Sequence, residues 1–186
     1  AIRFSLPLCP RGPMAKSIRK TLFAGQRLYF WIVLEVLTAL DQLTKHIYAG
    51  TEPGSYRMVL IPGLLNFIPS HNPRGAFSLG PQGMHFYIIA SFVGIGLILW
   101  FLATTPEDHR LVCIALGCLG AGAVGNLIDR VALGVVRDFI DLHWGPRYHW
   151  PTFNVADMAI CAGVGLLIWT AFVHPPQEDD EPETDH

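Results

Sequence analysis

The sequence predicts an all-α integral membrane protein, a bundle of four transmembrane helices with a small extramembrane β-element, and three observations carry that reading. Of 186 residues 51% are hydrophobic and only 15% charged, with a mean hydropathy of +0.37, more apolar than a soluble domain of this size requires. Four segments, 28–48, 84–103, 111–128 and 155–173, approach the ~20 residues that cross a ~30 Å hydrocarbon core as a helix. The longer polar stretches between them are punctuated by Pro and Gly, as connections are.

Residues 1–27 hold six of the 13 basic residues, with Pro and Gly that deny a continuous helix; the part before Met14 is set aside from fold reasoning. The cluster is short and abuts an apolar span, so it predicts a membrane-flanking segment and not a nucleic-acid interface. No small-x-small cleavage site follows the first apolar run, which is therefore read as a span and not as a cleaved signal peptide. Within that span Asp41 and Lys45 are four residues apart and share a helical face. They suit either a helix-end ion pair with Lys45 reaching outward or a polar group aimed into the bundle. Glu35, near mid-span, has no partner in its sequence neighbourhood.

Residues 50–83 alternate loosely enough for short strands and are expected to form the β-element. Asn72, before Pro73, is either a turn residue or an amide that can donate to and accept from a peptide backbone. Gly94 and Gly96 in the second span, the run of small residues in the third, and Gly163 and Gly165 in the fourth predict close helix packing, with the third span at the centre. Cys113, Cys118 and Cys161 fall in spans and, with Cys9, show no metal spacing, so the three are expected to act as small core residues. The tail 174–186 carries six of the 15 acidic residues and nothing to bury, and is expected to be disordered. Four spans place both termini on one side, and the basic cluster makes it cytoplasmic, so residues 50–83 and the loop between the third and fourth spans meet on the outer face.

The densest chemistry lies from 125 to 157, with Asp129, Asp138, Asp141 and Asp157 beside Asn126, Arg130, Arg137 and Asn154. Charge at the margin of hydrocarbon is costly, so such groups are functional candidates. Two carboxylates brought together there would share a proton, one activating water while the other hydrogen-bonds a carbonyl oxygen. Asn154 also suits an N-cap of the fourth helix with Asp157 in its first turn. Asp129, directly before the fixed cation of Arg130, is expected to be an ionised structural carboxylate, while Asp138 and Asp141 are both free to face a partner. No metal site is expected: H-E-x-x-H is absent, and His143 and His149 lack a third ligand at recognisable spacing. They are read instead as interfacial side chains beside Trp144, Tyr148 and Trp150.

In these motifs the chain resembles the bacterial lipoprotein signal peptidases (signal peptidase II). The carrying residues are D-Q-L-T-K with Asp41 and Lys45, N-P-R-G-A-F-S with Asn72, G-N-L-I-D-R at 125–130, V-V-R-D-F-I-D at 135–141 and F-N-V-A-D at 153–157. Arg74 stands where the family usually has glycine. The resemblance implies a membrane aspartyl endopeptidase in which Asp138 and Asp157 are catalytic. It makes Asn72, Asn126, Arg130 and Asn154 hold the pair or the substrate backbone, and Asp41, Lys45, Asp141 and Asp129, the last paired with Arg130, structural. It also implies a short interfacial helix beside the β-element, diacylated prolipoprotein substrates and membrane lipids as partners, no cofactor, and a site near the outer face of the bacterial cytoplasmic membrane. A monomer is expected, with residues 28–173 as the peptidase domain and 143–150 at the membrane surface gating access. The competing readings are a small transporter or proton channel, which wants carboxylates at mid-membrane, and a non-enzymatic assembly protein.

Overall fold

The computed structural model describes residues 25–50, 52–53, 57–73, 83–105, 109–145 and 147–173. The basic segment before Gly25, Arg74 and the acidic tail lie outside them. Four long helices run in chain order: α1 (Leu28–Thr44), α2 (Met84–Thr104), α3 (Arg110–Leu133) and α4 (Val155–Val173). By length and composition α2, α3 and α4 can each cross a membrane. The 17-residue α1 carries Glu35 and Asp41 and runs on into a π turn, Lys45–Ala49, that ends at Gly50.

The central place expected for the third span follows from its glycines. A Cβ on Gly117 would lie 2.8 Å from the Phe30 carbonyl of α1, and one on Gly122 would strike Ala156 O and Ile160 of α4. Gly163 of α4 answers from the other side, 2.8 Å from Ala115 O by the same measure. Three bare backbones thus let α3 sit between α1 and α4, where packing and not water exclusion drives association. The same expectation fails at Gly94, Gly96 and Gly165, which face open space among the described residues. Cys113 is buried as expected, but Cys161 is exposed and is not a core residue. At the start of α1, Arg27 is buried and donates to Thr105 O at 2.6 Å, closing the carbonyl end of α2.

The β-element is larger than residues 50–83. Strands β1 (Met58–Ile61), β2 (Leu65–Asn72), β3 (Val136–Trp144) and β4 (Tyr148–His149) pair antiparallel in that order, so both polar loops build one sheet. Register runs Leu65↔Leu142, Asn66↔Asp141 and Phe67↔Ile140, then slips at an irregularity in β2 to Ser70↔Asp138 and Asn72↔Val136. Tyr48, Phe67 and Phe139 cluster with ring centroids 4.7–5.7 Å apart and seat the sheet on the end of α1. No short interfacial helix occurs among the described residues. Instead the segment expected at the surface finishes β3 and returns as β4, because Gly145 at φ 64° permits the turn.

Candidate active site

Helix α3 ends at Gly134, whose φ of 72° supplies the left-handed cap, and the chain turns directly into β3. Asp138 is the third residue of that strand and is almost fully buried. Asp157 reaches the same place from the first turn of α4. Asn154 and Asp157 cap α4 reciprocally: the Asp157 N–H donates to Asn154 Oδ1 at 3.0 Å, and the Asn154 N–H donates to Asp157 Oδ2 at 3.3 Å. The capping expected of Asn154 is therefore present, and its amide does a second job. Its Nδ2 donates to Asp138 Oδ1 at 2.6 Å, so one residue holds both carboxylates.

Beneath them lies a buried polar floor. Asn126 Nδ2 donates to Asp157 Oδ1 at 2.9 Å, and its Oδ1 accepts from Lys45 Nζ at 3.0 Å and Asn154 Nδ2 at 3.2 Å. Because ammonium can only donate, Lys45 fixes which way the Asn126 amide faces. Lys45 is wholly buried, with Asp41 at 2.8 Å and Asp129 at 3.3 Å, so of the two readings of that pair the inward one holds. Asp41 Oδ1 in turn accepts the Ala156 N–H at 2.8 Å, tying α1 to the first turn of α4.

Asp129 is buried and ion-paired, as expected, but its partner is not Arg130. Successive helical residues point about 100° apart and do not face one another. Arg137, brought back by the turn at Gly134, donates instead through Nη2 to Asp129 Oδ1 at 2.7 Å and through its backbone N–H to Oδ2 at 2.9 Å. Arg130 lies over the Tyr87 ring, 5.6 Å from its centroid, and feels the charges of Asp157 and Asp138. Gln42 also belongs to this floor, donating to Gly125 O at 3.0 Å and accepting from Arg137 at 3.1 Å. Three residues lie outside the roles expected from sequence: Gln42, Asn66, and Arg137 as the ion-pair partner of Asp129. For Gln42 the signal was its place beside Asp41 in D-Q-L-T-K.

Burial pushes the Asp138 carboxyl up to about 7, and the nearby charge of Asp157 adds to it. Hydrogen bonds from Asn154 and Asn72 oppose the rise without cancelling it, which places the Asn72 side chain in the site. Asp141 behaves in the opposite sense. Burial works to raise it, but hydrogen bonds from His149 and Asn66 outweigh that and hold it below the usual carboxylate range. Asp141 is thus engaged with its own neighbours and does not join Asp138 and Asp157. Two buried carboxyls that feel one another, one retaining its proton to near neutrality, are an arrangement suited to passing a proton to and from water.

The family model for signal peptidase (SPase) II matches residues 33–173, a span that contains every one of these groups. The chain belongs to the signal peptidase II family. It is 41% identical over 144 residues to the lipoprotein signal peptidase of Geobacter sulfurreducens, covering 76% of this chain and 89% of that protein. To the protein of that name from Listeria monocytogenes it is 36% identical over 146 residues, covering 78% and 94%. Its fold is similar to a bacterial membrane enzyme solved by the in meso method, with a TM-score of 0.67, 28% identity, and 82% of this chain and 94% of that one covered. Membership of the signal peptidase II family makes the chain a peptidase, and its long apolar helices make it a membrane protein.

Proposed function

We propose that this chain removes the signal peptide from diacylglyceryl-modified prolipoproteins, cleaving before the lipidated cysteine with Asp138 and Asp157 as an aspartyl pair. The observation that carries the assignment is the Asp138 carboxyl, buried beside a second carboxylate and pushed up to about 7 while amides alone bond to it among the described residues. The pair shares one proton. One member takes a proton from water as its oxygen attacks the scissile carbonyl carbon, and the other hydrogen-bonds the carbonyl oxygen. The C–N bond then breaks with a proton delivered to the leaving amide nitrogen. Asn126 and Asn154 hold the two carboxylates, while Arg130 and Asn72 border the substrate backbone.

In the same reading residues 28–173 are one four-span peptidase domain. The α1 helix with its π turn is about 30 Å long at ~1.5 Å per residue, enough for the remaining crossing. Residues 1–27 and 174–186 are cytoplasmic, and the sheet stands on the outer face of the bacterial inner membrane. The exposed Trp144, Tyr148 and Trp150 suit a headgroup-level position. A diacylated cysteine anchored in the outer leaflet then presents its peptide bond at the depth of the pair, each buried CH₂ contributing ~0.8 kcal/mol to the anchoring. The transporter alternative wants mid-span carboxylates facing an internal path, and Glu35 is exposed on the outside of α1.

Purified protein in detergent should cleave a diacylated prolipoprotein peptide, leave the unacylated peptide largely intact, and lose turnover on Asp157→Asn with its fold retained. An inert wild type, or a folded Asp157→Asn protein that cleaves at the wild-type rate, would overturn the assignment.

A further inference from the structure

Outside the candidate active site, the sheet register gathers a second group of polar side chains. Residues two apart on a strand share a face, so Asp141 and His143 of β3 point the same way. Asn66 sits directly opposite Asp141 on β2, and His149 directly opposite His143 on β4. Four polar residues that are scattered in sequence therefore meet on one face. Asp138, an odd number of residues from Asp141 along the same strand, belongs to the other.

Their polar atoms converge on the Asp141 carboxylate. Asn66 Nδ2 lies 2.9 Å from Asp141 Oδ2 and 3.3 Å from His143 Nδ1, while that nitrogen is itself 3.3 Å from Asp141 Oδ2. If the amide donates to both, the imidazole nitrogen carries a lone pair, and two acceptors face each other in a buried place. If His143 Nδ1 is protonated instead, it donates to Asp141 Oδ2 beside the amide. Turning the amide over sets its oxygen against the carboxylate and gains nothing. With Nδ1 protonated both N–H groups converge on Asp141 Oδ2, which accepts two hydrogen bonds; with Nδ1 bare, a nitrogen lone pair and a carboxylate oxygen 3.3 Å apart converge as two ligands of one cation do. A cation accepting the lone pairs of both Asp141 and His143 leaves Asn66 donating to the ligating carboxylate. On the outer side His149 Nδ1 stands 2.9 Å from Asp141 Oδ1.

We propose that Asp141, His143 and His149 form a binding site for a divalent transition metal ion, Zn²⁺ in the first instance. One ligand atom from each lies within 4.8 Å of the others. Ligands held at about 2.0–2.1 Å around tetrahedral zinc are about 3.3 Å apart, the separation already present between His143 Nδ1 and Asp141 Oδ2. His149 stacks on His143 with ring centroids 5.0 Å apart and meets the other carboxylate oxygen; being half exposed, it turns to join the ion, which also gives the ion its route in. Two imidazoles and one carboxylate suit zinc more than calcium or magnesium, and three protein ligands leave a fourth position for water. Asn66 acts as the outer partner that orients the carboxylate. The ion pins β4 to β3. The chain beyond β4 returns along β3 through Trp150 N–H to Leu142 O at 2.7 Å and Phe153 N–H to Ile140 O at 3.2 Å, and delivers Asn154 to Asp138. The metal's part is to position that segment, not to act on the substrate, and its presence does not depend on the aspartyl assignment.

The test uses untagged full-length protein in detergent, stripped with chelator and dialysed, then titrated with Zn²⁺ by calorimetry and with Co²⁺ by visible absorption. One equivalent should bind, with Co²⁺ bands of a four- or five-coordinate site and a melting temperature raised by Zn²⁺. His149→Ala and His143→Ala should each weaken binding by more than about 100-fold and remove the Co²⁺ bands, and Asn66→Ala should weaken it by about 10- to 100-fold. If His143→Ala fails to fold, the half-exposed His149→Ala carries the comparison. No binding by wild type, or unchanged affinity and spectrum in folded His149→Ala protein, would overturn the proposal.

Discussion

Asp138 and Asp141 are the same residue type on the same strand, three positions apart and both buried, yet the protein moves their carboxyls in opposite directions. Burial is the largest influence at each and acts the same way. What separates them is company: Asp138 has a second carboxylate nearby and neutral amides as donors, whereas Asp141 has two imidazoles and an amide. The contrast locates function in partners more than in residue identity. A carboxyl whose proton is loosely held near neutrality is equipped for proton transfer, and one tied down by imidazoles is equipped to hold a strand or an ion.

The largest expected effect is on turnover. Asp138→Asn should lower kcat by about 10²- to 10⁴-fold, the usual worth of a positioned acid–base group, with its fold intact. Asp141→Asn should keep kcat within about tenfold and show its damage in melting temperature. Lipopeptide cleavage and thermal unfolding of the two variants side by side decide the matter, and equal loss of kcat in both folded proteins would end the distinction.

The next effect is on stability against pH. With a folded carboxyl near 7 and an unfolded one near 3.9, the folded state binds more protons than the unfolded state between those values. Stability attributable to Asp138 therefore falls as pH rises from about 4 to 7 and is flat above that. Three pKa units at 1.36 kcal/mol each set the ceiling at about 4 kcal/mol, part of which belongs to the coupling with Asp157. Asp138→Asn removes the penalty, so its melting temperature should exceed wild type by a margin that widens from pH 5 to pH 8. Asp141→Asn should show no such widening, because that carboxyl is ionised throughout the window. A constant margin for Asp138→Asn would mean that its carboxyl is not raised.

The legibility of this molecule in its sequence follows the range of the interactions. Apolar stretches show as runs, so helices over 84–103 and 155–173 are legible in the sequence, and those observed run Met84–Thr104 and Val155–Val173. The glycines of α3 announced a central helix because each small residue needs a neighbour's backbone beside it. The pairing of Asp129 was misread because adjacency in sequence is not adjacency on a helix, and its true partner, Arg137, arrives only after the turn at Gly134. The third companion of His143 and His149 was invisible for a related reason. Asp141 meets them through strand alternation and a cross-strand register that no local spacing displays. Gly94 and Gly165 show the converse, small residues with nothing packed against them among the described residues.

The smallest effect separates the two regions without touching either carboxylate. A Cβ on Gly125 would lie 2.6 Å from Asp41 Oδ2 and 3.3 Å from the Ala156 Cβ. Asp41 cannot retreat freely, since its other oxygen holds the Ala156 N–H and its ion pair fixes Lys45, which orients Asn126 beneath Asp157. Gly125→Ala should therefore cost about 1–3 kcal/mol of stability, as overpacking does, and lower kcat through a shifted Asp157. Gly165→Ala on the open face of α4 meets nothing within 4 Å and should be neutral or gain up to about 1 kcal/mol from helix propensity. Zn²⁺ binding at Asp141, His143 and His149 should be the same in both, because no contact of Gly125 reaches that face. If Gly125→Ala left turnover at the wild-type level, the chain from Asp41 through Lys45 and Asn126 to Asp157 would hold the fold without setting the geometry of the pair.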